Sequence, residues 1–155
     1  MHYPSEENRY QAAHAGLIIN SFQILLGKKL IPDAFSDRGV GRSLFHASIA
    51  VISHDTTQDP VFNYANLKAL ELFGMSWAEF TRMPSRFSAE PSEWAEREKL
   101  LDSVRTRGFF YPLRGIRTVK TGERFQINDG AVWNLIDADG QYRGQAACFF
   151  AWEYL

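Results

Sequence analysis

The chain has 155 residues, 45% of them hydrophobic and 23% charged, which suits one globular domain with a real core and excludes a disordered chain. Seventeen basic against eighteen acidic residues leave a net charge of -1, so neither a nucleic-acid-binding basic stripe nor an acidic tail is expected. A single cysteine, Cys148, excludes an internal disulfide, and with no signal peptide at the polar start and no membrane span in the apolar run Ala15 to Leu26, a cytoplasmic protein is expected.

Ser5 to Leu26 is predicted helical. Ser5 is placed to cap it, Glu6 and Glu7 suit its first turn, and Tyr10, Ala13, Leu17, Ser21, Ile24 and Leu25 follow helical spacing up to a stop at Gly27. Its upper half is apolar on more than one side, which allows packing on the domain and also on a second copy of the chain. Leu30 to Arg42 reads as a link, with a short helical turn around Ala34-Phe35. Ser43 to Phe45 then leads into a first strand, Ala47 to Ser53, an almost unbroken apolar run. His54 to Pro60 is a polar turn, and Val61 to Tyr64 a second strand.

Three helices follow. Asn66 caps Leu67 to Phe73, which ends at Gly74, and Ser76-Trp77-Ala78-Glu79 is a capping box that starts a second, closed by Met83-Pro84-Ser85. Pro91 opens a longer helix through Arg107, with Trp94, Leu100, Leu101 and Val104 as its apolar side and Gly108 as its stop. Phe109 to Trp152 reads as three antiparallel strands punctuated by turns at Lys120 to Glu123 and at Asp137 to Gly140. Two blocks of strands split by helices give an α+β fold: one five-stranded antiparallel sheet with helices covering one face, plus an N-terminal helix. Residues 1–43 form the helix and linker packed on the domain, and residues 44–155 the domain itself.

The segment Pro60 to Phe80 resembles the PAS pattern, in which a strand ends in Tyr-x-Asn, a helix follows, and a glycine precedes the next capped helix. Four further stretches, Pro84 to Pro91, Arg114 to Ile127, Val132 to Gly140 and Gly144 to Phe149, are similar to the MEKHLA family, a PAS-related group that closes plant class III homeodomain–leucine-zipper proteins and also occurs alone in bacteria and algae. The resemblance covers roughly Leu44 to Trp152. It implies a PAS-like sensory or interaction module. With no homeodomain or zipper here, the DNA-binding role of the plant proteins does not carry over, and the resemblance implies no settled ligand or activity, which leaves the cofactor unknown.

Period-two reading of the strands puts Gly115, Arg117 and Val119 on one face, Phe125 and Ile127 on one face of the next strand, and Gly144, Ala146, Cys148 and Phe150 on one face of the last. A bulge at Asp129-Gly130 would shift Trp133 and Asn134. If the PAS pairing holds, these sets line a pocket, and Arg117, Phe125, Ile127, Asp129, Cys148 and Phe150 are the candidate ligand-binding residues. Arg117 would then be an ion-pair partner of Asp129, a solvent-exposed side chain, or the anchor for a carboxylate or similar anion of a ligand.

None of His2, His14, His46 and His54 has metal-ligand spacing, and none lies on the long helix where a haem ligand is sought first. Light-oxygen-voltage photochemistry needs a cysteine on a helix beside the flavin, whereas Cys148 is on the last strand and Ser85 to Ser88 has none. The acids Glu71, Glu79, Glu90, Glu93, Glu96 and Glu98 have ordinary surface spacing, and Asp55 is a turn former beside His54. The expected function is therefore non-catalytic: small-molecule sensing or ligand-dependent protein interaction, with homodimerisation through the N-terminal helix or the sheet face. A small enzyme using the same cavity, and a dimerisation module with a filled core, are the alternatives.

Overall fold

The computed structural model describes residues 1–32, 39–88 and 94–155, without the side chains of residues 94, 96 and 97. The Ala34-Phe35 turn, the helix opening at Pro91, and Glu90 and Glu93 lie outside the described residues, as does the environment of Glu96.

Helix α1 runs from Ala12 to Leu26 and ends on Gly27. It starts later than Ser5, because Arg9, Tyr10 and Gln11 adopt left-handed backbone angles and break the helical path. The segment before it turns back over the domain instead. Ser5 N donates to Asn8 Oδ1, Tyr3 packs edge-on against Phe45 and Trp77, and Trp77 Nε1 donates to Met1 O. Residues expected as link and strand lead-in form helix α2, Val40–Phe45, which buries Leu44 and Phe45. Gly41 lets α2 approach this segment, since a Cβ there would lie 2.3 Å from Arg9 O.

Strand β1 is Ala50–His54 and β2 is Phe62–Ala65. Helix α3, Leu67–Phe73, and helix α4, Trp77–Phe80, carry the expected Asn66 cap and Ser76/Glu79 capping box. A 3-10 turn, Ser85–Ser88, and helix α5, Trp94–Arg107, complete the helical block. The first long strand is split. Short β3, Phe109–Phe110, is separated from β4, Gly115–Thr118, by a cis Tyr111-Pro112 bond, and both pair with β5, Arg124–Ile136. The last strand is β6, Tyr142–Tyr154.

The sheet is antiparallel, in the order β2-β1-β6-β5-β3, with β4 also on β5. Six strands thus fill the five expected positions. Register shifts between Ile127 and Gly130 produce the irregularity expected at Asp129-Gly130.

Both sheet faces are covered. On the inner face, Phe73 of α3 and Phe80 of α4 pack against Phe62, Phe125 and Phe149. On the outer face lies α1: the Phe22 and Trp133 rings meet edge-on at 4.8 Å, Trp133 Nε1 donates to Ile18 O, and Ser21 Oγ bonds both the amide and the carbonyl of Ile136. Such two-sided burial explains why β1 reads as a continuous apolar run rather than an alternating one.

Candidate functional site

A cavity of about 70 Å³ lies on the inner face. Its apolar wall is made by Ile52, Leu113, Val132 and Phe149 from the sheet side and by Leu100 and Leu101 of α5. Arg117, His54, Gln145, Ser85 and Ser88 add polar groups, and no carboxylate is among its described lining residues. His54 and Gln145 are cross-strand partners at one end of β1 and β6. Arg117 stands on β4 opposite Phe125, and its Nη1 donates to Ile116 O at 3.0 Å. Ser88 Oγ is turned to Ser85 O. His54 Nδ1 is 2.9 Å from Asp55 O, a contact that needs the proton on that nitrogen because a carbonyl only accepts.

The candidate residues divide between the two faces. Arg117 is on the cavity wall. Phe125 and Ile127 are fully buried on the same inner face; Phe125 packs on Phe73 and Phe149 and so belongs to the ring cluster that backs the cavity. Cys148 is also fully buried, but alternation from Ala146, the partner of Trp133, turns it toward α1. Burial pushes its thiol pKa well above the usual range, and the Asp129 charge adds to that. Asp129 stands roughly 13 Å along β5 from Phe125, the residue opposite Arg117. Phe150 is half-buried at the edge of the core. Arg117 and Cys148, placed on one inward face by period-two reading, are thus on opposite faces, because the register shifts within β5 and β6 break the alternation between Ile127 and Gly130.

One arrangement was not legible from spacing. His14 of α1 places Nε2 2.8 Å from Ser53 Oγ, and Ser53 Oγ donates to Asn63 Oδ1 at 2.6 Å. The His14 ring tilts over Tyr64. A serine beside a histidine suggests a nucleophile, but the hydrogen bonds run the other way. Ser53 gives its proton to Asn63, so His14 donates to Ser53 and is no base for it. Ser53 is also 1% exposed. The trio fastens α1 to the sheet. Burial drives the His14 pKa down to about 4, helped by the nearby amino terminus.

The His54-Asp55 pair is a turn device. Asp55 Oδ1 accepts from Thr57 N, Thr57 Oγ1 and Val61 N. Burial works to raise its pKa, but these bonds outweigh that and hold the carboxyl below its usual range. Among the described residues no group of three or more His, Cys, Asp or Glu could hold a metal ion, and no helix is long and apolar enough to cross a membrane.

A tricyclic flavin or a haem does not fit the cavity. Cofactor pockets of ordinary size span about 300–1,000 Å³, and here the Phe62, Phe80, Phe73, Phe125 and Phe149 rings occupy the inner face. Cys148, under α1, is on the wrong side of the sheet for flavin-adduct chemistry in that space.

Several solved structures share the architecture. A PAS domain from Colwellia psychrerythraea superposes with a TM-score of 0.61 at 13% identity, covering 74% of this chain and 92% of that one. A light-oxygen-voltage domain studied with a flavin analogue gives 0.57 at 18% identity, over 75% and 84% of the two chains. The light-oxygen-voltage domain of the blue-light photoreceptor Aureochrome1 gives 0.57 at 18%, over 74% and 80%. Identities this low speak for the fold alone. No curated protein matches the sequence. The MEKHLA domain profile matches residues 12–154, helix α1 included, and the chain therefore belongs to the MEKHLA domain family, built on a PAS-like fold.

Proposed function

We propose that this chain is a non-catalytic sensory module that takes a small organic acid into the inner-face cavity, with Arg117 as its anchor. The observation that carries this is the lining: an apolar wall with one guanidinium set into it. A guanidinium offers five donors in a planar fork, so it can hold a ligand carboxylate alongside partners it already has. The volume limits the ligand to a few heavy atoms, since one water occupies about 30 Å³. Phe125 and Ile127 back the cavity; Asp129, Cys148 and Phe150 would act on the ligand only through the strands between. The lone buried thiol fits a reducing, cytoplasmic setting.

A second reading, an interaction module whose core is simply filled, is favoured by the small volume and the ring packing around it. Native mass spectrometry of the freshly purified protein, with thermal-melt measurements on short carboxylic acids and the matching amides, separates the two. A sensor retains a small acid or is stabilised by acids and not by amides, and the Arg117→Ala variant loses that response while staying folded. Absence of both retention and stabilisation supports the filled-core reading.

A further inference from the structure

Arg9, Tyr10 and Gln11 are the non-glycine residues with positive φ among those described, at 55°, 55° and 54°. Left-handed angles crowd Cβ against the following carbonyl, so residues with side chains take them singly, and three in a row need a hold from outside. Tyr3 lies edge-on to Phe45 and Trp77, Trp77 Nε1 donates to Met1 O at 3.2 Å, Arg42 Nη1 pairs with Glu6 Oε1 at 2.9 Å, and Tyr10 packs on Phe45 and His46. Each of these contacts is made to α2, to its C-cap His46, or to α4, and Gly41 leaves the space that Arg9 O enters. The other bonds of the segment are internal: Asn8 Oδ1 accepts from Ser5 N and Gln11 N, and Gln11 Nε2 donates to His2 O. Residues 1–11 are thus a strap, held at its free end and strained at its root.

The same residues have an unstrained alternative. As it stands, α1 opens with no side-chain cap and no acid in its first turn. Ser5, Glu6 and Glu7 carry both chemistries roughly two turns upstream, and no glycine or proline interrupts residues 5–15. Gln11 O already accepts from Ala15 N at 2.9 Å, so the helical ladder is in place as far back as residue 11. Resetting Arg9, Tyr10 and Gln11 to right-handed angles carries α1 back to Ser5. We propose that residues 1–11 are a two-position strap, either docked across α2 and α4 or released and coiled into α1. The positions exclude each other, because the left-handed turn that folds Tyr3 back onto Phe45 is the one that the helix removes. The docked position sets ring packing against backbone strain; the released one sets the Ser5 cap and the acid–dipole contacts against lost packing. Release also changes the surface. Phe45 and Trp77 are 2% and 7% exposed under the strap, beside a shallow groove of about 670 Å³ walled by Tyr3, Leu70, Met75 and Trp77. The strap is the cover of that apolar surface, and its release opens it.

Backbone Cα chemical shifts and the hydrogen exchange of the Trp77 indole N–H, measured on the full chain, test the proposal. In wild type, residues 9–11 should lack helical shifts and the indole proton should be protected by Met1 O. Tyr3→Ala removes a ring that is 47% exposed; it should turn residues 6–11 helical and speed the indole exchange, with the shifts of Ala12–Leu26 unchanged. Glycine fits left-handed angles and weakens a helix, so adding Arg9→Gly and Gln11→Gly to Tyr3→Ala should return the strap to its docked position. The two glycines alone should slow the indole exchange by about tenfold or more relative to wild type. A Tyr3→Ala strap that stays docked or becomes random coil, or a glycine pair that exchanges no slower than wild type, would overturn the proposal.

Discussion

The contact that seats α1 should make the protein lose stability on mild acidification. His14 has a folded pKa of about 4 against an ordinary value of 6.5. Between these values the unfolded chain binds a proton that the folded chain refuses, so stability rises with pH and falls on acidification. The contribution is complete above about pH 6.5 and is lost progressively as the pH drops toward 4. A tenfold difference in proton affinity between the two states is worth about 1.4 kcal/mol, so wild type should lose about 2 kcal/mol from this group by pH 5 and about 3 kcal/mol by pH 4. The groups that face His14 are Ser53, the Tyr64 ring and the charged amino terminus; none supplies an acid that would rescue the imidazolium. His14→Gln keeps an amide N–H for Ser53 Oγ but does not titrate. Urea unfolding of both proteins at pH 7.5 and pH 5 gives the comparison, because carboxylates such as Asp55, whose depressed pKa makes their own contribution fade only as pH falls further, are common to both. Wild type should lose about 2 kcal/mol more than the variant. Equal losses would refute the buried, proton-refusing role of His14 and the seating of α1 argued from it.

Asn66→Ala should cost far more than the cap it removes. Asn66 Oδ1 accepts from Val51 N and Ala69 N while Nδ2 donates to Leu44 O and Ile49 O, all around a fully buried side chain. The cap alone is worth about 1 kcal/mol, and each orphaned buried group adds about 1–3 kcal/mol, so a loss of at least about 3 kcal/mol in denaturant titration is expected; a loss near 1 kcal/mol would mean that water reaches the site. Tyr64→Phe should run the other way. The Tyr64 hydroxyl is buried and has no hydrogen-bond partner among the described residues, and burial pushes its pKa far above the usual value. Removing it should leave stability unchanged or raise it by about 1 kcal/mol; destabilisation in a thermal melt would reveal a partner for the oxygen.

Local chemistry was legible wherever it was decided locally. The Asn66 cap, the Ser76/Glu79 box, the Asp55 turn and the bulge at Asp129-Gly130 each depend on a few neighbouring residues, and each stands where spacing put it. The start of α1 was not legible, because Ser5, Glu6 and Glu7 have the chemistry of a helix opening but Tyr3 and Tyr10 are held by Phe45 from another helix. Helix α2 hid in a glycine-rich stretch for a related reason: Gly41 is there to admit Arg9 O, a contact no window of sequence contains. Arg117 reached the cavity wall through β4 alone, where strand alternation is undisturbed. For Cys148 the same alternation failed, since a period of two survives only between bulges. His14, Ser53 and Asn63 sit on three elements, and nothing in their separate surroundings signals that they meet.

Energetics constrain how occupancy of so small a cavity could be felt outside. A ligand shifts an equilibrium only by the difference in its affinity for the two states. Even the best small ligands gain at most about 1.5 kcal/mol per heavy atom, and only the part that differs between the two states counts. Lifting α1 off the sheet is too large a response. It would expose Phe22, Ile18, Ile19 and Trp133, all at most 1% exposed, at about 1.5–3 kcal/mol per side chain, and would break the Ser21 and His14 bonds besides. A smaller change in how α1 sits on the sheet is within reach. A coupling of about 1–3 kcal/mol between two sites changes the affinity at one of them by about 5–150-fold. The shortest physical route is β1, where adjacent residues serve opposite faces: His54 borders the cavity and Ser53 holds His14. A strand cannot slip by one residue without inverting both faces, so the available motion is a small tilt of β1 shared by the cavity wall and the helix seat.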